Sequence, residues 1–394
     1  MKKNLIAVLF MTLVFSAVFY AGAVGQELSS ETEAWLKEVK LGPYTEDTFD
    51  EQALYEAAKA EGEVNIYSYS SRVHKFGETF EQKYPGIKVN GYDMDSGDIV
   101  TKVTAEQTAG NYVADVIFLK DVAVVHNVLV AKGLAHNYIP ADLKDTIPEQ
   151  YQEPMLVHHT SIQGFVYNTA KNTQAPFASL WDLTKPEWKG KVIMPDPMKL
   201  PEFVEIYTAI VEHADEMAEE YEKVFQEKIT LSPGVENAGY EWLYRILNND
   251  AIVLGSTNDI SNAVGLSDQD TPPVGLTAFS RVRDIESNPN LKFAFAENLS
   301  PVEGFEIEVV QLAVNKTPHP NAAKLLLRYM LGDEKGGEGY EPYYVAGNFS
   351  VRVDVPPVEG MKLITEIPSW SASPDYVWLE GQKVLDFWNI NLVQ

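Results

Sequence analysis

The chain has 394 residues, 57 acidic against 31 basic side chains, a formal net charge of −26 and no cysteine. That balance repels nucleic acid and anionic lipid. The missing thiols exclude a disulfide framework, a thiolate metal site, a cysteine nucleophile and a lipid-modified N-terminal cysteine. With 45% hydrophobic residues the chain is long enough to fill two packed domains.

Met1-Lys2-Lys3, an apolar run and the small residues Ala21-Gly22-Ala23-Val24-Gly25 read as a cleaved signal peptide over residues 1–25. The mature chain is then exported and not a lipoprotein. Residues 26–51 are acidic and read as an irregular leader, and 52–61 (QALYEAAKAE) as a short helix stopped by Gly62. The first clear unit follows. Residues 64–69 (VNIYSY) alternate as a strand does, break at Ser70-Ser71-Arg72, and give way to Val73, Phe76, Phe80 and Tyr84 at helical spacing. Hydroxyls at such a helix start serve either as a cap or as an anion site, and the residues alone favour the cap.

Pro85-Gly86 is a turn, 87–92 a strand, and Asp93-Met94-Asp95-Ser96-Gly97 the next strand-to-helix junction. It is not a calcium loop, since Gly97 stands where a third oxygen ligand is needed. A helix over 98–108, a buried strand over 114–119 and a helix opened by Lys120-Asp121 complete the unit. Ligands bind at the carboxyl edge of such a sheet, so topology gathers Ser70, Ser71, Ser96 and Asp121.

A second unit begins with a strand over 162–168 and another over 191–194 that ends in Pro195-Asp196-Pro197. Helices over 202–213, 215–227 and 235–247 lead to a strand over 251–254 and to Gly255-Ser256-Thr257-Asn258-Asp259. Asp196, between two prolines, reads equally as a rigid turn. A strand over 305–314 follows Pro301-Val302-Glu303-Gly304, and helices over 319–331 and 376–388 end the chain. Two facing units make a cleft with ligand groups on both walls. His158 and His159 are neighbours on an extended stretch, so they point to opposite faces and cannot share an ion. A hydrogen-bonding role is left for them. The chain carries no G-x-S-x-G, H-E-x-x-H, P-loop or G-x-G-x-x-G, so nothing marks an enzyme such as a secreted hydrolase.

Several phrases in this order resemble periplasmic solute-binding proteins of ABC importers, in the branch of the ferric-iron and hexose-phosphate binders. They are LYEAAKAEGEV (54–64), FEQKYPGIKV (80–89), VYNT (166–169), SLWDLTKPEWKGKV (179–192), MPDP (194–197), PVEG (301–304), the Pro318-His319-Pro320 helix start and GNFSVRVDVP (347–356). The resemblance implies the type II periplasmic binding fold, with two α/β domains, a two-strand hinge and closure on the ligand. The expected domains are 52–160 with 306–335, and 161–305 with 336–394. It further implies a monomer that needs no cofactor and delivers a small-molecule solute to a membrane permease and ATPase. Iron-binding members carry a tyrosine pair where this chain has Ser256-Thr257-Asn258-Asp259, and its only adjacent tyrosines are Tyr343-Tyr344. The expected ligand is therefore a small oxyanion-bearing solute, such as a sugar phosphate. Its expected contacts are Ser70, Ser71, Arg72, Ser96, Asp121, Asp196, Ser256, Thr257, Asn258, Asp259 and Glu303. Ferric iron on Tyr343 and Tyr344 is the alternative.

Overall fold

Residues 28–333 and 336–392 are described by a computed structural model, and the expected signal peptide, residues 1–25, lies outside the described residues. The acidic stretch expected to be irregular instead forms helix α1 (Ser30–Val39). Ser29 Oγ caps it by accepting the Thr32 N–H at 3.1 Å, and Leu36 and Leu41 are fully buried in the first-half core. Helix α2 (Glu51–Glu61) is capped by the Asp50 carboxylate and ends on Gly62 at φ 82°, a conformation that suits glycine.

The first half continues with β1 (Glu63–Ser68), α3 (Val73–Lys83), β2 (Lys88–Asp93), α4 (Ser96–Ala109) and β3 (Val116–Leu119). Then come α5 (Val122–Val124), running into a π-helical turn over Val125–Val130, and β4 (Ala135–His136). A twelve-residue strand β5 (Val157–Asn168) crosses to the second half. There β6 (Val192–Pro195), α6 (Glu202–Glu212), α7 (Ala214–Phe225), α8 (Ala238–Asn248) and β7 (Ile252–Leu254) follow. Next are α9 (Thr257–Gly265), β8 (Val274–Ala278), α10 (Val282–Ser287) and β9 (Phe293–Phe295). Strand β10 (Gly304–Val314) returns to the first half, followed by α11 (Pro320–Met330), β11 (Asn348–Ser350), β12 (Ser369–Trp370) and α12 (Pro374–Leu392).

The main strand order is β2-β1-β3-β10-β5-β8-β6-β7. β1 is parallel to β2 and β3, and β6 is parallel to β7 and β8. Between these two parallel sets runs the antiparallel ribbon β10–β5. Val310 pairs with Leu119, so β10 extends past the end of β3 and forms the floor between the two sets. Trp181, Phe203, Tyr207, Trp242 and Trp388 anchor the second-half core, while separate cores cover the two faces of the first-half sheet. The sequence reading places 336–394 in the second half. Tyr340, Tyr343, Phe349, Val351, Ile364 and Ile367 instead pack in the first-half cores, because β11 pairs with the start of β5 and draws this segment back. Within this segment, Trp370 of β12 packs against the second-half core, and α12 joins it through Val384 and Trp388. Among the described residues no helix is long and apolar enough to cross a membrane.

Candidate functional site

At the end of β1 the chain turns on hydroxyls. Ser68 Oγ accepts the Ser70 N–H at 3.1 Å and donates to the Ser70 carbonyl at 2.9 Å. Ser70 Oγ accepts the Arg72 N–H at 3.4 Å, and Ser71 is exposed. Arg72 opens α3 and holds its guanidinium 5.3 Å from the centre of the Tyr343 ring. At the end of β3, Ser96 Oγ accepts the Lys120 N–H at 3.2 Å, and Lys120 Nζ lies 5.1 Å from the Tyr69 ring centre. Asp121 adopts φ 62°, and burial, with Glu202 nearby, raises its carboxyl above the usual range.

The opposite wall supplies cations after β8. Arg283 Nε donates to the Ser280 carbonyl at 3.0 Å, and Arg281 Nη1 lies 3.3 Å from Asp284. The buried Arg281 Nε has no hydrogen-bond partner. Burial, then Arg72, then Arg281 lower the pKa of Arg283. The two walls are joined by residues 343–349. Asn348 Nδ2 donates to the Tyr343 carbonyl at 3.2 Å, and a Cβ on Gly347 (φ 93°) would stand 2.3 Å from Ser280 Cα. Only glycine allows this approach. Arg72, Lys120 and Arg283 have no carboxylate ion-pair partner among the described residues.

The floor corrects the expectation for the histidines. Val309 pairs with His159 and Val310 with Val157, so His158 is the extra residue of a β-bulge. The bulge turns both rings together. Their Nδ1 atoms are 2.8 Å apart, and His158 Nε2 is 2.8 Å from the Met330 carbonyl. Burial holds His158 at about 4. Burial, then His158, Lys120 and Arg72 hold His159 well below the usual histidine value. The His159 and Tyr343 ring centres are 5.1 Å apart. Burial raises the phenols of Tyr69 and Tyr343. Tyr343 OH approaches Ser70 without reaching hydrogen-bond geometry.

On the other side of Lys120 is an acidic pocket. Glu205 of α6 and Glu308 of β10 are each pushed up to about 8, chiefly by burial. Asp121, then Glu308 and Glu202, reinforce the shift at Glu205, with Lys120 opposing it. Glu306 reinforces it at Glu308.

The remaining expected residues do structural work. Asp196 Oδ1 accepts the Met198 N–H at 3.0 Å, making a rigid turn. Ser256 Oγ caps α9 by accepting the Asp259 N–H at 3.3 Å. The Thr257 carbonyl accepts from Thr277 and that of Asn258 from Ser261, while the Asn258 and Asp259 side chains are exposed. Glu303 accepts the Asn298 N–H at 2.7 Å and lies 3.6 Å from Lys362, so it fastens its own loop. Tyr343 and Tyr344 diverge. Tyr343 is fully buried among Phe76, Phe118 and the histidines, whereas Tyr344 OH donates to the Pro357 carbonyl at 3.0 Å. They cannot clasp one ion together. Among the described residues no group of three or more His, Asp or Glu side chains is placed to hold a metal ion.

Ser70, Arg72, Ser96 and Asp121 thus lie at the ends of β1 and β3 and the starts of α3, α4 and α5. Sequence reasoning missed Tyr69, Lys120, His159, Arg281 and Arg283. The sequence signal for them is Arg281-Val282-Arg283, a basic pair in an acidic chain one residue after 274–279 (VGLTAF). A depression of about 840 Å³ lies elsewhere, between the N-terminal segment and residues such as His126, His136 and Lys144.

A family model described as bacterial extracellular solute-binding protein matches residues 75–362. No curated protein sequence matches. Among solved structures, ferric iron-binding protein A of Mannheimia haemolytica, in an open conformation, superposes with a TM-score of 0.63 at 18% identity, covering 84% of this chain and 98% of that one. Iron-bound HitA of Pseudomonas aeruginosa gives 0.60 at 15%, covering 84% and 99%. The spermidine/putrescine transporter's substrate-binding protein PotD of Streptococcus pneumoniae gives 0.56 at 14%, with the same coverage. These likenesses establish the α/β, two-domain periplasmic-binding fold.

Proposed function

The chain belongs to the bacterial extracellular solute-binding proteins, and from that premise we propose that it captures a small oxyanion-bearing solute, a sugar phosphate or a similar organic anion. The family supplies the extracytoplasmic substrate-binding components of ABC transporters, which work with a membrane permease and an ATPase. In this reading residues 52–160, 306–333 and 336–373 form one wall and residues 161–305 with 374–392 the other. The two walls close about the β10–β5 ribbon. The observation that carries the reading is the convergence of Arg72, Lys120 and Arg283, none with a carboxylate partner among the described residues, in a chain of net charge −26. Partly desolvated cations without an ion-pair contact are costly, and a bound oxyanion relieves that cost through charge-assisted hydrogen bonds. Ser70 and Ser71 add hydroxyls, and Asp121 accepts from sugar hydroxyls.

The test is native mass spectrometry of protein purified gently from the periplasm, followed by calorimetry with the anion found. Arg72→Gln with Arg283→Gln is expected to weaken binding at least a hundredfold, at about 1.5–3 kcal/mol for each charged hydrogen bond lost. Unchanged affinity would refute the reading. Ferric iron is the second reading, favoured by the grouping of Tyr69, Tyr343 and His159 near Arg72. Hard phenolate donors suit ferric ion. A visible phenolate-to-iron absorption band on ferric titration would support iron and displace the anion.

A further inference from the structure

The proton positions of the histidine pair can be read from its far end. The Met330 carbonyl can only accept, so His158 Nε2, 2.8 Å away, donates. A neutral imidazole has one N–H, and His158 Nδ1 is then an acceptor. The 2.8 Å contact between the two Nδ1 atoms therefore requires His159 Nδ1 to donate. His159 has no proton left, and its Nε2 presents a lone pair. Both rings stay neutral, being 0% and 2% exposed, with Arg72 and Lys120 close enough to oppose further positive charge. Among the described residues no donor is bonded to His159 Nε2. The His159 ring is 5.1 Å from the Tyr343 ring and the Arg72 guanidinium 5.3 Å from it. One obligatory acceptor thus stands among cations.

We propose that His159 Nε2 makes the site selective for oxyanions that bring their own proton donor, such as a singly protonated phosphate or phosphonate, and against donor-free anions such as sulfate. The inference rests on the oxyanion reading and adds the substrate class. A P–O–H group gives its proton to the lone pair, whereas a sulfate oxygen placed there repels it and leaves the acceptor unsatisfied. An unsatisfied buried acceptor costs enough to lower affinity on the order of ten- to a hundredfold. His159 is thus a specificity-determining residue.

The experiment uses the mature full-length chain with ¹⁵N-labelled histidine. Long-range proton–nitrogen correlation spectra assign the tautomers, and calorimetry compares inorganic phosphate with sulfate near pH 6, where every phosphate ion carries at least one proton and sulfate carries none. We expect His158 protonated at Nε2 and His159 at Nδ1. Phosphate should be preferred at least tenfold, with the His159 Nε2 resonance shifting on phosphate but not on sulfate. His159→Gln, whose amide can turn its NH₂ toward sulfate, should reduce the ratio by admitting sulfate. A proton on His159 Nε2 would overturn the proposal. So would equal phosphate and sulfate affinities, and if Arg72→Gln then weakened both anions the oxyanion reading would survive. Binding of neither anion would overturn the proposal, and if Arg72→Gln also left affinity for the co-purified anion unchanged, the oxyanion reading would fall with it. If His159→Gln fails to fold, the wild-type tautomers and the phosphate-to-sulfate ratio still decide.

Discussion

Glu205→Gln should make the protein more stable, but only where the pH is high enough to matter. Glu205 stands on the first turn of α6, facing Asp121 from the first half, Glu308 on the connecting ribbon and Glu202 on its own helix, with Lys120 as the opposing cation. Its carboxyl is raised from an ordinary 4.5 to about 8, first by burial and then by these carboxylates. Below the ordinary value both folded and unfolded chains hold the proton, and the group is neutral in the balance. As the pH climbs from 4.5 towards 8, the unfolded chain releases the proton while the folded chain keeps it, so stability falls across that window and levels off above it. At 1.36 kcal/mol per pKa unit, the upper limit is about 5 kcal/mol. The side chain is partly open to solvent, and relaxation with screening reduces this to about 2–3 kcal/mol. Glutamine keeps the shape and cannot ionise. Urea unfolding of both proteins should show coincident stabilities near pH 4, with the variant ahead by about 2–3 kcal/mol near pH 8. Parallel stability curves, or a variant weaker at every pH, would refute the account of this pocket.

Two other perturbations test the frame. Asp115→Ala removes a fully buried carboxylate that accepts from the Asn65 N–H (2.6 Å), Asn65 Nδ2 (3.1 Å), the Thr317 hydroxyl and the His319 N–H (3.2 Å). Urea unfolding should show a loss of about 3–5 kcal/mol, and a loss below about 1 kcal/mol would count against this hub. Gly347→Ala forces a methyl against the Ser280 backbone at positive φ, so Arg281 and Arg283 should shift and calorimetric affinity for the anion should fall at least tenfold. Wild-type affinity would show that the 343–349 segment does not set their positions.

Most regular elements were legible because their patterns are local. The amphipathic spacing of Val73, Phe76 and Phe80 buries those residues in the first-half core, as the sequence implies. Three things were not legible. Helix α1 is a weakly amphipathic, acidic run whose order comes from Leu36 and Leu41 reaching a distant core. Strand β8 is short and follows Pro272-Pro273, and it reads as a strand only once β5 and β6 flank it. The bulge at His158 depends on the register of β10, 150 residues away in sequence, so alternation along a single strand predicted the wrong geometry. Site residues failed for a related reason. Hydroxyls after strands were easy to find, but Ser256 is used by its own helix as a cap. Arg283 becomes a candidate only when topology brings the end of β8 towards Arg72.

The chain's charge and its proposed ligand reconcile through distance. At physiological ionic strength a surface charge is largely screened beyond about 8 Å, whereas groups inside a closed cleft interact through protein with little screening. The net charge of −26 therefore governs solubility and the approach of other macromolecules, while the energy inside the cleft is set by which charges lack partners there. Glu205 and Glu308 are raised to about 8, chiefly by burial, so protonation lets them avoid much of their negative charge. Arginine cannot take that route, since it stays charged even where burial and its neighbours lower its pKa. Arg283 keeps its charge at physiological pH, and the acidic pocket beside Lys120 partly gives up its own. The cleft is thereby left positive inside a negative protein. That asymmetry follows from the different pKa ranges of carboxyl and guanidinium groups under the same desolvation, and needs no excess of basic residues.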